Sequence, residues 1–221
     1  MTIDDLSAVP NVDAQVHGSS DRAATDAIRF AAGTCSLGSI LVAASDRGVC
    51  ALLLGDGVPR LVRELRGRFP DARPADGDAL APVLAAAIAV VEDPTRGFDA
   101  PLDLRGTPFQ MRVWQALRDI PAGSTASYGE IAGLVGAPAT AIEVGLACAS
   151  NTIAVAIPCH RVVRKDGGLA GYRWGVARKR ALLEREASAG AWPCRQLHEA
   201  SAAASRPRQL PLLPAERAIS A

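Results

Sequence analysis

Of five cysteines, at positions 35, 50, 148, 159 and 194, Cys159 has neighbours suited to chemistry. Pro158-Cys159-His160-Arg161 follows the apolar run Ile153–Ile157 and leads into a basic stretch. A cysteine attacks as its thiolate, and nearby cations or a hydrogen-bonded base raise the thiolate fraction. His160 is adjacent, and Arg161, Arg164 and Lys165 add positive charge. From Cys159 to Arg185, eight lysines and arginines stand against two acids, a formal local charge of +6. The same pattern suits a buried structural cysteine beside a solvated basic face, and consecutive side chains on a strand point apart. The residues alone leave both readings open. No two cysteines form a CxxC pair, which argues against a zinc ribbon or a redox dithiol. Cys35, Cys50 and Cys194 read as small buried apolar residues.

The elements that must position Cys159 are marked by strong local signals. Thr107-Pro108-Phe109-Gln110 is a capping box with proline at the first helical position, and predicts a helix to about Arg118. Ser127-Tyr128-Gly129-Glu130 is a second capping box opening a short helix to about Val135. After the turn Gly136-Ala137-Pro138, a third helix is expected over Ala139–Ala149. Short helix, tight turn, short helix is the spacing of a helix-turn-helix. Ile153–Ile157 reads as a buried extended run, Asp166-Gly167-Gly168 as a turn, and Val176–Glu186 as a closing helix with Val176, Leu182 and Leu183 facing inward. Upstream, Gly38–Ala44 and Gly48–Leu54 form an expected hairpin about Ser45-Asp46-Arg47. Pro59 opens a helix with Leu61, Val62, Leu65 and Phe69 on one face, Phe69–Asp78 is a loop, Leu80–Val91 is a helix, and Ala100–Arg105 is a last strand. The expected organisation is a flexible lead-in at 1–26, an α/β domain at 27–105, a mainly α domain at 106–187 and a disordered tail at 188–221.

Composition sets the outer limits. A hydrophobic fraction of 49% in 221 residues supports a sizeable core, and a net charge of +1 requires any nucleic-acid surface to come from local clustering. No apolar run is long enough to span a bilayer, and the opening MTIDDLSAVP lacks the pattern of a secretory signal, so a cytoplasmic protein is expected.

The stretch Ile157-Pro158-Cys159-His160-Arg161-Val162 resembles the signature of the methylated-DNA–protein-cysteine methyltransferases, the O6-alkylguanine-DNA alkyltransferases. Thr107–Gln110, Val113-Trp114-Gln115-Ala116-Leu117, Ile120-Pro121-Ala122-Gly123, Ser127-Tyr128 and Asn151 match the family at its spacing. Gly48–Gly55, Gly171–Val176 and Leu182-Leu183 with Glu186 are similar to the C-terminal half of its Ada-type adaptive-response members. The resemblance covers roughly residues 28–187; the metal-binding activator half of such members is expected to be missing. It implies a ribonuclease H-like first domain (a small sheet with helices) and a mainly α second domain with a helix-turn-helix.

The resemblance also implies a site. Cys159 would accept the alkyl group, His160 would act as its base through a water, and Glu186 would orient the imidazole. Tyr128 would hydrogen-bond the flipped guanine, Asn151 would hold the turn before the active-site run, and Tyr172 and the backbone around Val162 would line the pocket. Thr140, Ile142 and Arg161 would face the duplex. The implied partner is double-stranded DNA carrying O6-alkylguanine, with O4-alkylthymine as a candidate second lesion. The protein would act as a monomer, without metal, cofactor or membrane.

One segment departs from the family pattern. Relatives carry an arginine in the third helix that fills the space left by the flipped base, and Ile142 stands there instead. Glu143 adds a negative charge, and no Lys or Arg occurs between Asp119 and Arg161. Weak duplex binding with intact sulfur chemistry is therefore expected. A lesion-flagging or regulatory alkyltransferase-like protein is the alternative; flagging relatives lack the acceptor cysteine, which this chain keeps.

Overall fold

The computed structural model describes residues 27–188; the lead-in, the tail beyond Ser188 and Cys194 lie outside them. Strands β1 (Arg29–Cys35), β2 (Gly38–Ser45) and β3 (Gly48–Gly55) form an antiparallel meander, and the two-residue β4 (Arg73–Pro74) joins β1 in parallel, giving the order β3-β2-β1-β4. Helices α1 (Val58–Arg68) and α2 (Ala81–Glu92) pack on this mixed sheet. Ile40–Ala43 and Val49–Leu54 are buried at every position. Successive strand residues point to opposite faces, so both faces are covered here, and the sequence reads as unbroken apolar runs rather than alternation.

The hairpin and both helices fall where the sequence places them, but three details differ. β1 is absent from the sequence reading because Ala31, Ala32 and Gly33 give it no alternation. The Phe69–Asp78 loop contains β4. Ala100–Arg105 is not a strand: only Leu102 forms a bridge, to Val49, flanked by hydrogen bonds from Val49 N to the Pro101 carbonyl (2.8 Å) and from Asp103 N to the Val49 carbonyl (2.9 Å).

The second half holds α3 (Pro108–Arg118), α4 (Tyr128–Val135), α5 (Ala141–Ser150) and α6 (Val176–Ser188), with β5 (Ala126–Ser127) paired in parallel to β6 (Val162–Val163). Both predicted capping boxes form, at Thr107/Gln110 and Ser127/Glu130. A third, unforeseen one forms at Thr140/Glu143, so α5 starts at Ala141 rather than Ala139. Gly136 ends α4 at φ +88, a conformation that a side chain disfavours. In α6 the inward residues are Lys179, Leu182 and Glu186; Val176 is exposed and Leu183 half-buried, correcting the expected face.

The two halves meet along β3, whose outer edge is covered by chain from the second half. Leu52 N donates to the Thr152 carbonyl (2.9 Å), Ala154 N to the Leu52 carbonyl (2.8 Å), and Thr152 Oγ1 to the Cys50 carbonyl (3.1 Å). These bonds satisfy an edge that would otherwise be open. Ile153–Ile157 is thus buried, as expected, but not extended: after the single bridge at Ile153 the chain turns, with Val155 in the left-handed region at φ +63. A β-branched residue there is strained by about 1–3 kcal/mol and needs surrounding bonds to hold it. No helix among the described residues is long and apolar enough to cross a membrane.

Trp114 ties α3 to α5, its buried indole Nε1 donating to the Ala147 carbonyl at 2.9 Å. Trp114→Phe removes this bond, leaving the carbonyl to Ser150 Oγ alone (2.9 Å), and opens a small void; it is expected to cost about 1–3 kcal/mol in urea unfolding. A change below about 0.5 kcal/mol would show that the indole does not hold the helix pair.

Candidate active site

Cys159 opens a short 3-10 turn, Cys159–Arg161, directly after the strained 154–156 turn. Asn151, the C-cap of α5, builds this approach. Its Oδ1 accepts from Ile153 N (2.8 Å), and its Nδ2 donates to the carbonyls of Ile153 (3.3 Å) and Ile157 (3.1 Å) and to Cys159 Sγ (3.3 Å). One amide thereby shapes the turn and contacts the thiol. Burial pushes the Cys159 thiol up to about 11, against the Asn151 hydrogen bond and the charge of Lys179.

His160 and Arg161 point away from solvent. Glu186 is fully buried and collects donors from both: His160 Nε2 lies 2.8 Å from Oε1, while Arg161 Nη2 and Nε donate to Oε1 at 2.9 and 3.0 Å. Its Oε2 accepts from Gly123 N at 3.0 Å. Burial alone would raise the Glu186 carboxyl, but His160 and Arg161 bring it down to about 2. Burial likewise holds His160 below its ordinary value, against the pull of Glu186, so the imidazole is neutral. An ionised Glu186 accepts a hydrogen bond from Nε2–H and so fixes the proton there, which leaves Nδ1 as the basic nitrogen. Nδ1 has no hydrogen-bond partner among the described residues.

A cleft of about 400 Å³ opens onto the sulfur. Its lining comes from Tyr128 at the start of α4, Gly145, Cys148 and Ala149 of α5, Cys159, and Gly171, Tyr172 and Arg173 before α6. Burial pushes the Tyr128 phenol up to about 12, so it remains a donor at neutral pH. Tyr172 packs edge-on against Trp174, centroids 5.1 Å apart, and against His160 at 6.5 Å. Arg173 braces the rim, pairing with Glu64 of α1 (2.9 Å) and donating to the Ala149 carbonyl (2.9 Å). A larger cleft of about 630 Å³, beside Arg29, Arg68, Arg73 and Arg105, has neither cysteine nor histidine in its lining. Among the described residues no three His, Cys, Asp or Glu side chains are grouped to hold a metal.

The structure thus brings Cys159, His160, Glu186, Asn151, Tyr128 and Tyr172 together. It corrects Arg161, expected at the DNA: the side chain is buried and its Nη1 donates to the Ile120 carbonyl at 2.6 Å. Val162 does not line the cleft; its carbonyl accepts from Lys179 Nζ. Thr140 caps α5, and Glu143 is its capping partner, accepting from Thr140 N (2.9 Å) and Oγ1 (2.8 Å), rather than a loose charge. Ile142 is 78% exposed, and Leu146 of the same helix and Leu134 of α4 are exposed too, at 65% and 57%. The sequence reading missed Cys148 and Lys179. The helical spacing of Lys179 and Glu186, seven apart, was the signal for the latter.

Residues 108–188 match the family described as the DNA-binding domain of 6-O-methylguanine DNA methyltransferase. The bifunctional transcriptional activator/DNA repair enzyme Ada of Escherichia coli K12 is 50% identical over 162 residues, covering 73% of this chain and 46% of that protein. The inducible methylated-DNA–protein-cysteine methyltransferase of Bacillus subtilis 168 is 38% identical over 130 residues, covering 58% of this chain and 73% of that protein. The crystal structure of Mycobacterium tuberculosis OGT in complex with DNA has 39% identity and a TM-score of 0.61, covering 72% of this chain and 93% of that one. Cys159, His160 and Glu186 thus lie together beside the cleft, and the chain belongs to the methylated-DNA–protein-cysteine methyltransferase family. It spans about half the length of the Ada relatives it matches.

The Glu186 cluster predicts an acid-sensitive fold. His160, held neutral, contributes stability above its unfolded value near 6.5, which is lost as pH falls. Glu186 contributes stability above about 4.5, lost as pH falls toward about 2. Unfolding free energy should therefore decline from about pH 6.5 downward. Glu186→Gln leaves Arg161 buried without its counter-charge and should cost about 3–5 kcal/mol at pH 7 by chemical denaturation.

Proposed function

We propose that this chain repairs DNA by direct, irreversible transfer of a methyl or other alkyl group from O6-alkylguanine to the sulfur of Cys159. The observation that carries the reading is the thiol at a 400 Å³ cleft, next to a neutral histidine fixed by a buried carboxylate. α4 and α5 act as a helix-turn-helix on the duplex, behind a ribonuclease H-like unit ending near Arg105 and followed by an alkyltransferase domain to about residue 187. The lesion leaves the base stack at a cost of a few kcal/mol and enters the cleft. Nδ1 of His160 takes the thiol proton through a water, and the thiolate attacks the alkyl carbon. The carbon–O6 bond breaks, its electron pair stays with guanine, and the Tyr128 hydroxyl donates toward the departing base. Guanine gains one proton, the thiol loses one, and Cys159 becomes a thioether. No ordinary step returns a thiol from a thioether, so each molecule reacts once. The protein works as a cytoplasmic monomer without a cofactor.

Delivery of the lesion is the weak step. Ile142 can wedge between bases but offers no cation, and Glu143 places a carboxylate side chain at the start of α5. Incubation with duplex DNA carrying O6-methylguanine should add one methyl group to the intact mass, and Cys159→Ala should abolish it. Stable DNA binding without a mass gain would favour the lesion-flagging reading. Ile142→Arg should raise the rate on duplex DNA by about tenfold, the worth of one charge-assisted contact, and leave the rate with free benzylguanine unchanged. Equal duplex rates would remove Ile142 as the cause.

A further inference from the structure

The larger cleft, of about 630 Å³, takes no part in the reaction above, and its charge is unbalanced. Arg29 of β1, Arg68 at the end of α1, Arg73 of β4 and Arg105 line it, around Phe69. Asp71 is the one carboxylate in that lining among the described residues. Arg105 is held by Asp103 at 2.6 Å. Arg68 donates to the Arg105 carbonyl, and the guanidinium carbons of Arg68 and Arg105 lie 6.0 and 5.5 Å from the centre of the Phe69 ring. Arg29 and Arg73 have no such anchor: among the described residues neither side chain forms an ion pair or a hydrogen bond.

Register makes this arrangement costly. Arg29 and Arg73 are partners in the parallel β1–β4 ladder, on strands about 4.8 Å apart, and like charges directly opposite each other are destabilising. One charge on the edge strand β4 would deter pairing with another chain. That purpose does not call for a second arginine on β1, nor for two more on the same cavity. An anion in the cleft would relieve the repulsion, and the guanidinium fork fits both carboxylate and phosphate.

The position of the cleft decides between them. Arg173, on the rim of the Cys159 cleft, pairs with Glu64 of α1 at 2.9 Å. Arg68 lies one helical turn further along the same stripe of α1, at the arginine cleft. Burial and the charge of Arg173 hold the Arg68 guanidinium below its ordinary value, so the two share one positive field. α1 also exposes Arg60, Arg63 and Arg66, with Glu64 its one acid. A turn of helix is about 5.4 Å and a DNA strand carries one charge per about 3.4 Å of axis, so the step from Arg173 to the arginine cleft is a few phosphates long. α5, by contrast, offers the backbone no cation.

We propose that the arginine cleft of the first half is a second phosphate-binding site, which holds the backbone of the DNA strand beyond the Cys159 cleft. This rests on the reading of the Cys159 cleft as the place where DNA is taken up. Through Arg29, Arg68 and Arg73 the first half supplies the positive charge that α5 lacks. The site reads no sequence, since contacts to phosphate carry none.

The test is binding of an unmodified duplex, two helical turns long, by the full chain, followed by fluorescence anisotropy over a range of salt. Arg29→Gln combined with Arg73→Gln removes two phosphate contacts. The slope of log affinity against log salt should shrink by about 2, and affinity at about 0.1 M salt should fall about tenfold. Neither side chain makes an ion pair, so the double variant should be at least as stable in urea as the wild type. Arg96→Gln removes an exposed arginine that lines neither cleft, and should leave the slope unchanged. An unchanged slope in the double variant, or a comparable loss in Arg96→Gln, overturns the proposal. Retained duplex binding together with lost affinity for a poly-aspartate peptide would give the cleft to an acidic protein segment, and overturns it as well. Duplex binding that depends on these arginines but brings no methyl group to Cys159 would instead sink the proposed repair function and leave this one standing.

Discussion

The carboxylate of Glu186 sits in the interior and gathers donors from two separated stretches of chain: Gly123 after α3, and His160 and Arg161 in the turn that carries Cys159. Taking an ion out of water costs several kcal/mol, so the arrangement stands only while every partner is in place. That requirement couples distant parts of the fold. α6 must dock so that Glu186 reaches the turn, the 120–123 corner must present Gly123 N and the Ile120 carbonyl, and Arg161 must turn inward to balance the charge. Burial keeps His160 neutral against the pull of Glu186, and the bond to Glu186 fixes the ring proton on Nε2 and leaves Nδ1 available, so the group that secures the second half also sets the tautomer of the histidine.

The sulfur is governed by opposing effects. Burial at the floor of the cleft disfavours the thiolate, and the Asn151 amide and nearby positive charge oppose it. Asn151 also holds the turn in which Val155 takes a strained conformation, so the contact to Sγ and the backbone path leading to it come from one side chain. β3 anchors the start of that path through Leu52, which gives the first half a mechanical role although it brings no catalytic group to the cleft.

α5 serves two ends that pull apart. Its inner face carries Val144, Ala147 and Cys148 into the core and the cleft wall, and its outer face shows Ile142 and Leu146 to solvent. The Thr140/Glu143 box stabilises the start of the helix, since a carboxylate at a helix N-terminus pairs with free N–H groups and with the dipole. The same carboxylate is ill placed for a polyanion. On the proposed reading, in which α5 faces the duplex, local helix stability and attraction to phosphates compete at one position.

Elements set by local chemistry were legible in the sequence. The helices opened by Thr107-Pro108 and Ser127, the hairpin about Asp46, and α1 and α2 fall where capping residues, prolines and apolar spacing put them, because each signal acts within a few residues. The resemblance around Cys159 pointed to Cys159, His160, Glu186, Asn151, Tyr128 and Tyr172, which the fold brings together, but also to Arg161 and Val162, which it places elsewhere. What needed the tertiary structure was direction and pairing. Arg161 looks like a surface cation in sequence, but the charge of Glu186, twenty-five residues away, draws it inward. Ile153–Ile157 looks like a strand because it is apolar, yet Asn151 folds it into a turn. β4 and the bridges at Leu102 and Ile153 are too short to leave a period, and form only because β1 and β3 present edges to pair with. Lys179 reads as one more charge in a basic helix, and only the packing of α6 carries it inside, against the turn of the cysteine that the sequence had already marked.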